Sequence, residues 1–254
     1  MRILIANDDG IYSPGLAALA NVARQFGDVR VVAPDVEQSS ASHAITASKP
    51  LNYRRTRVIK DVEAYRVNGT PADCVALGAF HWENVDVVLS GINMGPNLGM
   101  ALWHSGTLAA AKQAALLGMR GIAFSSLVVG DEPDMSGLEP YVARVLELVL
   151  PQTQLRLVNV NLPPQPRGIS WTRQAVEKYD GKVVPGEDPL GRRHFWFTVV
   201  PLERHQPGTD LWAMAQDYIS ITPLRLDLTD HEHLARVAGG PTIEFDTERE
   251  PAIR

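Results

Sequence analysis

Two adjacent acidic residues, Asp8 and Asp9, follow the first apolar run of the chain (residues 3–6) and lie within the sequence NDDG. Neighbouring carboxylates repel each other, and a strand end does not need them in order to fold. A bound cation would hold such a pair together, so the pattern indicates a metal site. The competing interpretation is a helix N-cap followed by a first-turn acid.

Two further polar segments follow predicted strands, at residues 37–42 (EQSSAS) and 90–97 (SGINMGPN). Ligands of doubly wound sheets bind beyond the carboxyl ends of the strands, so we expect all three segments at one edge. Carboxylates, a serine hydroxyl and an asparagine amide oxygen suit Mg²⁺, Mn²⁺ or Ca²⁺, and no His/Cys cluster has zinc spacing. Taken singly, the second segment also fits a plain polar turn, and the third a strand-to-turn junction that needs glycine.

A fourth segment, WHSGTLAAA at residues 103–111, begins a predicted helix. The free backbone N–H groups and the two hydroxyls of Ser105, Gly106 and Thr107 could bind phosphate, although ordinary helix capping is the alternative. A metal and an anion cradle in one crevice indicate metal-assisted hydrolysis of a phosphate ester. His43 and His104 flank these segments and could act as acid or base, or be turn histidines of no catalytic role.

Short apolar strands alternate with helical segments along the first half of the chain. This rhythm predicts an α/β fold, with a mostly parallel, doubly wound sheet and helices on both faces. The predicted strands are residues 3–6, 28–33, 86–90, 121–125, 155–162 and 218–223, and the predicted helices are residues 15–26, 107–117 and 138–150. The absence of GxGxxG after the first strand disfavours NAD binding.

The segment at residues 165–210 is rich in Pro, Gly, Arg and Asp and contains the alternating stretch HFWFTVV at residues 194–200. It predicts hairpins that project from the sheet. Aromatic hairpins of this kind often pack on a partner subunit, so the region around Trp196 indicates an oligomer. The alternative is a cover over the chain's own sheet.

The composition is that of an ordinary globular protein, with 254 residues, 45% hydrophobic residues and a formal net charge of −5. This charge argues against a nucleic-acid polymer as partner. No segment approaches the ~20 apolar residues of a membrane span, and the N-terminus lacks the pattern of a signal peptide. We therefore predict a cytoplasmic protein with no membrane partner. The single cysteine, Cys74, is expected to be a buried structural thiol.

Several longer motifs resemble the SurE (survival protein E) family of metal-dependent 5′/3′-nucleotidases, in the order that the family has them. The NDDG start together with the SGIN.G.N segment is highly specific, and the resemblance runs over residues 1–229. The matching stretches are MRILIANDDGI, EQSSASHAIT, NGTPADCV, SGINMGPNLG, HSGTLAAA and GTDLWAMAQDYISITPLRLDLT.

The resemblance implies a role for each matching site residue. Asp8, Asp9, Ser39 and Asn93 would be the ligands of one divalent ion per subunit, Mn²⁺ or Mg²⁺. The implied phosphate-binding residues are Asn97, Ser105, Gly106 and Thr107. Asp8, Asp9 and Asn97 are the implied catalytic residues.

The resemblance also implies the fold, the substrates and the assembly. It predicts a single domain over residues 1–254, with a Rossmann-like catalytic core at about 1–130. Residues from about 131 to 254 would complete the sheet and form the hairpin and C-terminal elements through which homodimers and homotetramers assemble. The implied substrates are nucleoside 5′- and 3′-monophosphates, and short polyphosphate in some members.

The chain departs from the family pattern in three places. It has Trp103 where the family usually has Tyr, and Ser40 where it often has Gly. The helix at residues 108–114 also differs in sequence. None of these changes removes an implied ligand, but Trp103 bears on the contacts to base or ribose.

Two other functions fit parts of the pattern. A haloacid-dehalogenase-like phosphatase needs its nucleophile two residues before a second Asp, whereas Asp8 and Asp9 are adjacent. A non-catalytic regulatory module that binds nucleotide through a metal would use the same ligands. Release of phosphate, as opposed to binding alone, distinguishes an enzyme from such a module.

Overall fold

The computed structural model describes residues 1–127, 134–176, 181–199 and 205–238. Its centre is a nine-stranded sheet, and a separate two-stranded hairpin follows late in the chain. The strands are β1 (Arg2–Ala6), β2 (Asp28–Pro34), β3 (Tyr53–Thr56), β4 (Glu63–Val67), β5 (Val87–Met94), β6 (Arg120–Ser126), β7 (Leu157–Leu162), β8 (Gly168–Trp171), β9 (Gly181–Glu187), β10 (Arg193–Val199) and β11 (Tyr218–Leu224). The α-helices are α1 (Pro14–Ala23), α2 (Pro71–His81), α3 (Gly106–Leu116), α4 (Glu139–Val149), α5 (Asp210–Ala215) and α6 (His231–Val237).

The large sheet is mostly parallel, with the strand order β3-β4-β2-β1-β5-β6-β7-β11-β8. The six strands from β4 to β7 in this order run parallel to one another. Strand β3 is antiparallel to β4, and β11 is antiparallel to β7. The predicted fold class, a mostly parallel sheet flanked by helices, is confirmed.

Alternate residues of the central strands point to opposite faces of the sheet, so both faces carry apolar side chains. Helices cover both faces. Ile3 and Ile5 of β1 belong to a core that includes the buried faces of α1 and α4. Leu4 belongs to a second core with residues of α2 and α3. The central strands are buried on both sides, which explains their continuous apolar runs.

The predicted hairpin is present, as β9 paired antiparallel with β10. Its aromatic residues remain exposed: Phe195 by 68%, Trp196 by 67% and Phe197 by 63%.

The chain divides into two compact units, residues 1–224 and 225–254. The described part of the second unit contains α6, and the C-terminal elements expected beyond residue 238 lie outside the described residues. The single domain over residues 1–254 stays a prediction. Among the described helices, none combines the length and the apolar character that a bilayer crossing requires.

Candidate active site

Three polar segments that are far apart in sequence meet beyond the carboxyl ends of β1, β2 and β5. The backbone N–H of Gln38 donates to the carbonyl oxygen of Asp8 (2.7 Å), which fixes the loop after β2 beside the end of β1. The backbone N–H of Met94 donates to Oδ2 of Asp9 (3.1 Å) and joins the end of β5 to the same turn. The sheet therefore brings the predicted segments to one edge.

A cavity of about 350 Å³ opens at this edge. It holds most of the predicted site residues, together with several that the sequence did not single out. Its lining consists of Asp8, Ser39, Ser40, Asn93, Met94, Gly95, Pro96, Asn97, Ala101, His104, Ser105 and Phe197. Phe197 belongs to β10, so the hairpin contributes an aromatic side chain to the cavity wall.

Asp8 is buried at the base of this cavity, with 4% of its surface exposed. Thr107 Oγ1 donates to its Oδ1 (2.6 Å), so the first turn of α3 holds the carboxylate. A Cβ atom at Gly106 would lie 2.8 Å from both Cβ and Oδ2 of Asp8, and only glycine allows this approach. Burial raises the pKa of Asp8, and the hydroxyl and backbone N–H of Thr107 oppose the rise.

The neighbouring carboxylate of Asp9 lies close to the negative charges of Asp8 and Glu37. Burial, and then the negative charge of Asp8, raise its pKa to about 6, although the Met94 N–H opposes the rise. Glu37 adds a smaller like-charge repulsion to both carboxylates. This local excess of negative charge is what a divalent cation would neutralise.

Ser39 and Asn93 present neutral oxygen atoms to the same cavity. Ser39 Oγ donates to Oε1 of Glu37 (2.6 Å), which leaves the lone pairs of the hydroxyl free for a cation. Asn93 Nδ2 donates to the carbonyl oxygen of Gly95 (2.7 Å), which leaves Oδ1 as an available acceptor. A register shift between Ser90 and Asn93 in the β5–β6 ladder sets the position of this turn.

The donor set fits a hard divalent cation. Two carboxylates, a hydroxyl and an amide oxygen are typical partners of Mg²⁺ and Mn²⁺. Among the described residues, no group of three or more His, Cys, Asp or Glu side chains is placed to hold a metal.

Asn97 sits in a buried polar network. Its side-chain Nδ2 donates to Ser125 Oγ (2.9 Å), and its backbone N–H donates to Asn161 Oδ1 (2.8 Å). Its carbonyl oxygen accepts from Asn159 Nδ2 (2.8 Å) and Asn161 Nδ2 (3.0 Å). Sequence reasoning missed these partners, although two asparagines within the buried strand LVNVNL were a signal that could have found them.

The first turn of α3 reaches the cavity through its N-cap residue. Ser105 is the N-cap, and its Oγ accepts from the backbone N–H of Leu108 (3.0 Å). Ser105 and Asn97 line the cavity, whereas Gly106 and Thr107 lie directly behind Asp8.

The two histidines occupy different environments. His104 lines the cavity, next to the N-cap of α3. His43 is not among the lining residues, and its Nε2 is 2.8 Å from Oε1 of Gln113 in the middle of α3. The structure therefore favours His104 over His43 as the acid or base.

Two of the departures from the family pattern lie in or next to the segments that line the cavity. Ser40 has a φ of +60°, the left-handed conformation in which glycine is unstrained, which accounts for the glycine usual there. Trp103 is 46% exposed and is not among the lining residues. Its carbonyl oxygen accepts from Ser42 Oγ (2.8 Å), so its backbone anchors the loop that carries Ser39.

The sequence and the fold of the chain are similar to those of known proteins. The profile of the family described as "Survival protein SurE" matches residues 3–181. The chain is 44% identical over 246 residues to 5′-nucleotidase SurE 1 of Thermus thermophilus, covering 94% of this chain and 97% of that protein. It is 44% identical over 238 residues to 5′-nucleotidase SurE of Deinococcus radiodurans, covering 90% and 88% respectively. The crystal structure of a SurE protein from Aquifex aeolicus has a TM-score of 0.79 and 35% identity, and covers 93% of this chain and 98% of that one.

Proposed function

Because this chain belongs to the SurE family, we propose that it is a divalent-metal-dependent phosphomonoesterase that converts nucleoside 5′- and 3′-monophosphates to nucleoside and phosphate. Short polyphosphate is a further proposed substrate. The observation that carries the proposal is the buried carboxylate of Asp8, which adds to the effect of burial in raising the pKa of the adjacent Asp9 and lines a cavity together with the N-cap of α3.

The enzyme class follows from the relatives. The prediction of a phosphoric monoester hydrolase is confirmed, since the chain matches curated 5′-nucleotidases over nine-tenths or more of its length. The metal requirement, the 3′ activity and the polyphosphate activity remain proposals.

The proposed metal ligands are Asp8, Asp9, Ser39 and Asn93, holding one Mn²⁺ or Mg²⁺ per subunit. When bound, such an ion supplies Lewis acidity, which neutralises phosphate charge and lowers the pKa of water. Asp8 is held by Thr107 and Asp9 by Met94. Each carboxylate is therefore held by a contact from a different part of the chain.

The proposed phosphate-binding residues are Asn97 and the first turn of α3. The buried contacts of Asn97 fix its amide at the cavity wall, and Ser105, the N-cap of α3, lines the same cavity. Preorganised donors of this kind stabilise the charge that shifts among phosphoryl oxygens during transfer.

Proton transfer is assigned to two groups. Asp8 or Asp9 has the chemistry to take a proton from the attacking water, and His104 lies at the cavity wall where it could protonate the leaving oxygen. If His104 is this acid, His104→Gln lowers kcat and flattens the alkaline limb of the pH–rate profile. His43→Gln, at the Gln113 contact outside the lining, is the matched control and leaves the profile unchanged.

Release of inorganic phosphate tests the proposed function. The chelated protein is assayed with 5′-AMP, 3′-AMP and tripolyphosphate, before and after Mn²⁺ is restored, beside Asp8→Asn. We expect turnover only with the metal, and none from the variant, which should keep its fold because Asn preserves the shape of the side chain. Metal-dependent nucleotide binding without phosphate release would instead indicate the non-catalytic module.

We also propose that the chain assembles as a homodimer or homotetramer through the β9–β10 hairpin. Three consecutive aromatic residues of β10 are each more than three-fifths exposed, which is unusual for a surface with no partner. Mass in solution tests this assembly, and a monomer at assay concentration would contradict it. A cytoplasmic location stays a prediction.

A further inference from the structure

The segment Gly208-Thr209-Asp210 contains a buried carboxylate that the proposed mechanism does not use. Asp210 has 0% of its surface exposed, and it begins the short helix α5. None of the ion pairs among the described residues includes it. A buried carboxylate is costly unless hydrogen bonds compensate it, so its partners indicate what it does.

Asp210 is compensated by backbone N–H groups from three places in the chain. Its Oδ2 accepts from the N–H of Gly99 (2.8 Å). Its Oδ1 accepts from the N–H of Ala175 (2.9 Å) and from the N–H of Leu211 (2.8 Å). The carboxylate thus ties the segment after β5 to the segment after β8.

The carbonyl oxygen of Gly99 is held as well, because Gln174 Nε2 donates to it (2.9 Å). Two residues earlier, the backbone of Asn97 is held by Asn159 and Asn161 of β7. The segment at residues 97–99 is therefore anchored at both ends, by β7 on one side and by Asp210 with Gln174 on the other.

We propose that Asp210 is a positioning residue for phosphate binding: its bond to Gly99 fixes the segment that presents Asn97 to the cavity. The inference rests on the proposed function, since it takes Asn97 as a phosphate ligand. Asp210 does not line the cavity, so it acts through the backbone and touches no substrate.

The variant Asp210→Asn breaks this contact selectively. Asparagine has one acceptor oxygen, and the Oδ1 side of residue 210 faces two N–H donors whereas the Oδ2 side faces only Gly99. The amide oxygen takes the two-donor side, and the NH₂ group then faces the Gly99 N–H, donor against donor. Side-chain volume is almost unchanged, so no cavity forms.

Thr172→Val is the matched control. Thr172 is buried nearby, and its hydroxyl bonds Ser220 (2.8 Å) and Thr222 (2.7 Å), with no bond to the 97–99 segment. It should lower the melting temperature without affecting phosphate binding. If Asp210→Asn does not fold, Gln174→Leu removes the donor to Gly99 and tests the same anchor.

Three quantities are measured in the Mn²⁺-loaded proteins: KM and kcat for 5′-AMP, and the inhibition constant of inorganic phosphate. Asp210→Asn should raise KM and the inhibition constant together, by about tenfold, as expected for the loss of a hydrogen bond to a charged group. The value of kcat should also fall, because Asn97 is proposed to stabilise the phosphoryl oxygens during transfer. Amide hydrogen exchange of residues 95–103 should accelerate in this variant and not in Thr172→Val.

The outcomes separate the two proposals. Absence of metal-dependent hydrolysis in the unmodified protein refutes the proposed function, whereas the exchange measurement still reports on the anchor. Unchanged KM, inhibition constant and exchange in Asp210→Asn overturn the positioning role. Equal increases in Thr172→Val overturn it too, because they would reflect general loss of stability.

Discussion

Replacing Asp9 by Asn should stabilise the protein in the absence of metal. A rise in the pKa of Asp9 from 3.8 to about 6 corresponds to ~3 kcal/mol of ionisation cost at pH 7. Asp9 is only partly buried, and solvent screens its charge, so we take about half of that cost, ~1.5 kcal/mol. Asn keeps an oxygen to accept the Met94 N–H.

The sign of the effect follows from the raised pKa. The folded state binds the Asp9 proton more tightly than the unfolded chain does, so the stabilisation is complete below about pH 4 and is lost as the pH rises through about 6. The variant should therefore match the unmodified protein below pH 4 and exceed it above pH 6. The excess of ~1.5 kcal/mol corresponds to ~4 °C in melting temperature for a chain of this size.

Thermal melts of both proteins in EDTA at pH 4 and pH 7 measure the stability difference without metal. Melts at pH 7 with Mn²⁺ measure how much the metal stabilises each protein. Mn²⁺ at 100 times its Kd would stabilise the unmodified protein by ~2.7 kcal/mol, and Asp9→Asn should lose most of that gain. An EDTA-treated variant less stable than the unmodified protein at pH 7 would refute the crowding argument. Equal stabilisation of both proteins by Mn²⁺ would refute the assignment of Asp9 as a ligand.

Three other expectations follow from the packing. Gly106→Ala places a Cβ 2.8 Å from the Asp8 side chain, so kcat should fall roughly 10–100-fold. The control Gly137→Ala, whose Cβ meets nothing within 4 Å, should leave kcat unchanged. Equal kcat values for the two variants would contradict the close approach of Gly106 to Asp8. Burial raises the pKa of the Cys74 thiol well above its ordinary value, so a thiol reagent at pH 8 should modify it only after unfolding, and rapid native labelling would contradict this. Replacing Trp196 by Ser should lower the mass in solution if the hairpin joins subunits; an unchanged oligomer would exclude that contact.

The parallel core could be predicted because its strands carry continuous apolar runs between turn residues. The predicted strand at residues 3–6 is β1 within one residue, and the predicted helix at 107–117 is α3 within one residue at each end. Strand β5, by contrast, continues four residues past its predicted end at 90. Its polar segment SGINM pairs with β6 across a register shift, which no local pattern shows.

The edge of the sheet was not predicted. Strands β3 and β4 are built from YRRT and EAYRV, whose charged residues stay partly exposed at the edge and hide the alternation of a buried strand. Helix α2 also lacks a strong apolar face. It is specified by a capping box between Thr70 and Asp73, with Pro71 at its start.

The sequence singled out oxygen-bearing residues that the structure brings to one cavity, but not the residues that hold them there. Oxygen donors after strands identified Asp8, Ser39 and Asn93, all of which line one cavity. The roles of Asn161 and Asp210 depend on hydrogen bonds to backbone 64 and 111 residues away in the chain. Such long-range contacts become visible only when the strand order is known.

Oxygen atoms from three segments of the chain are proposed to meet around one divalent cation. A crystal grown with Mn²⁺ and measured at the manganese absorption edge tests it most directly. We predict one anomalous peak per chain, in the cavity beside Asp8, within coordination distance of Asp9, Ser39 and Asn93. A peak elsewhere, or no peak in this cavity at saturating Mn²⁺, would contradict the account.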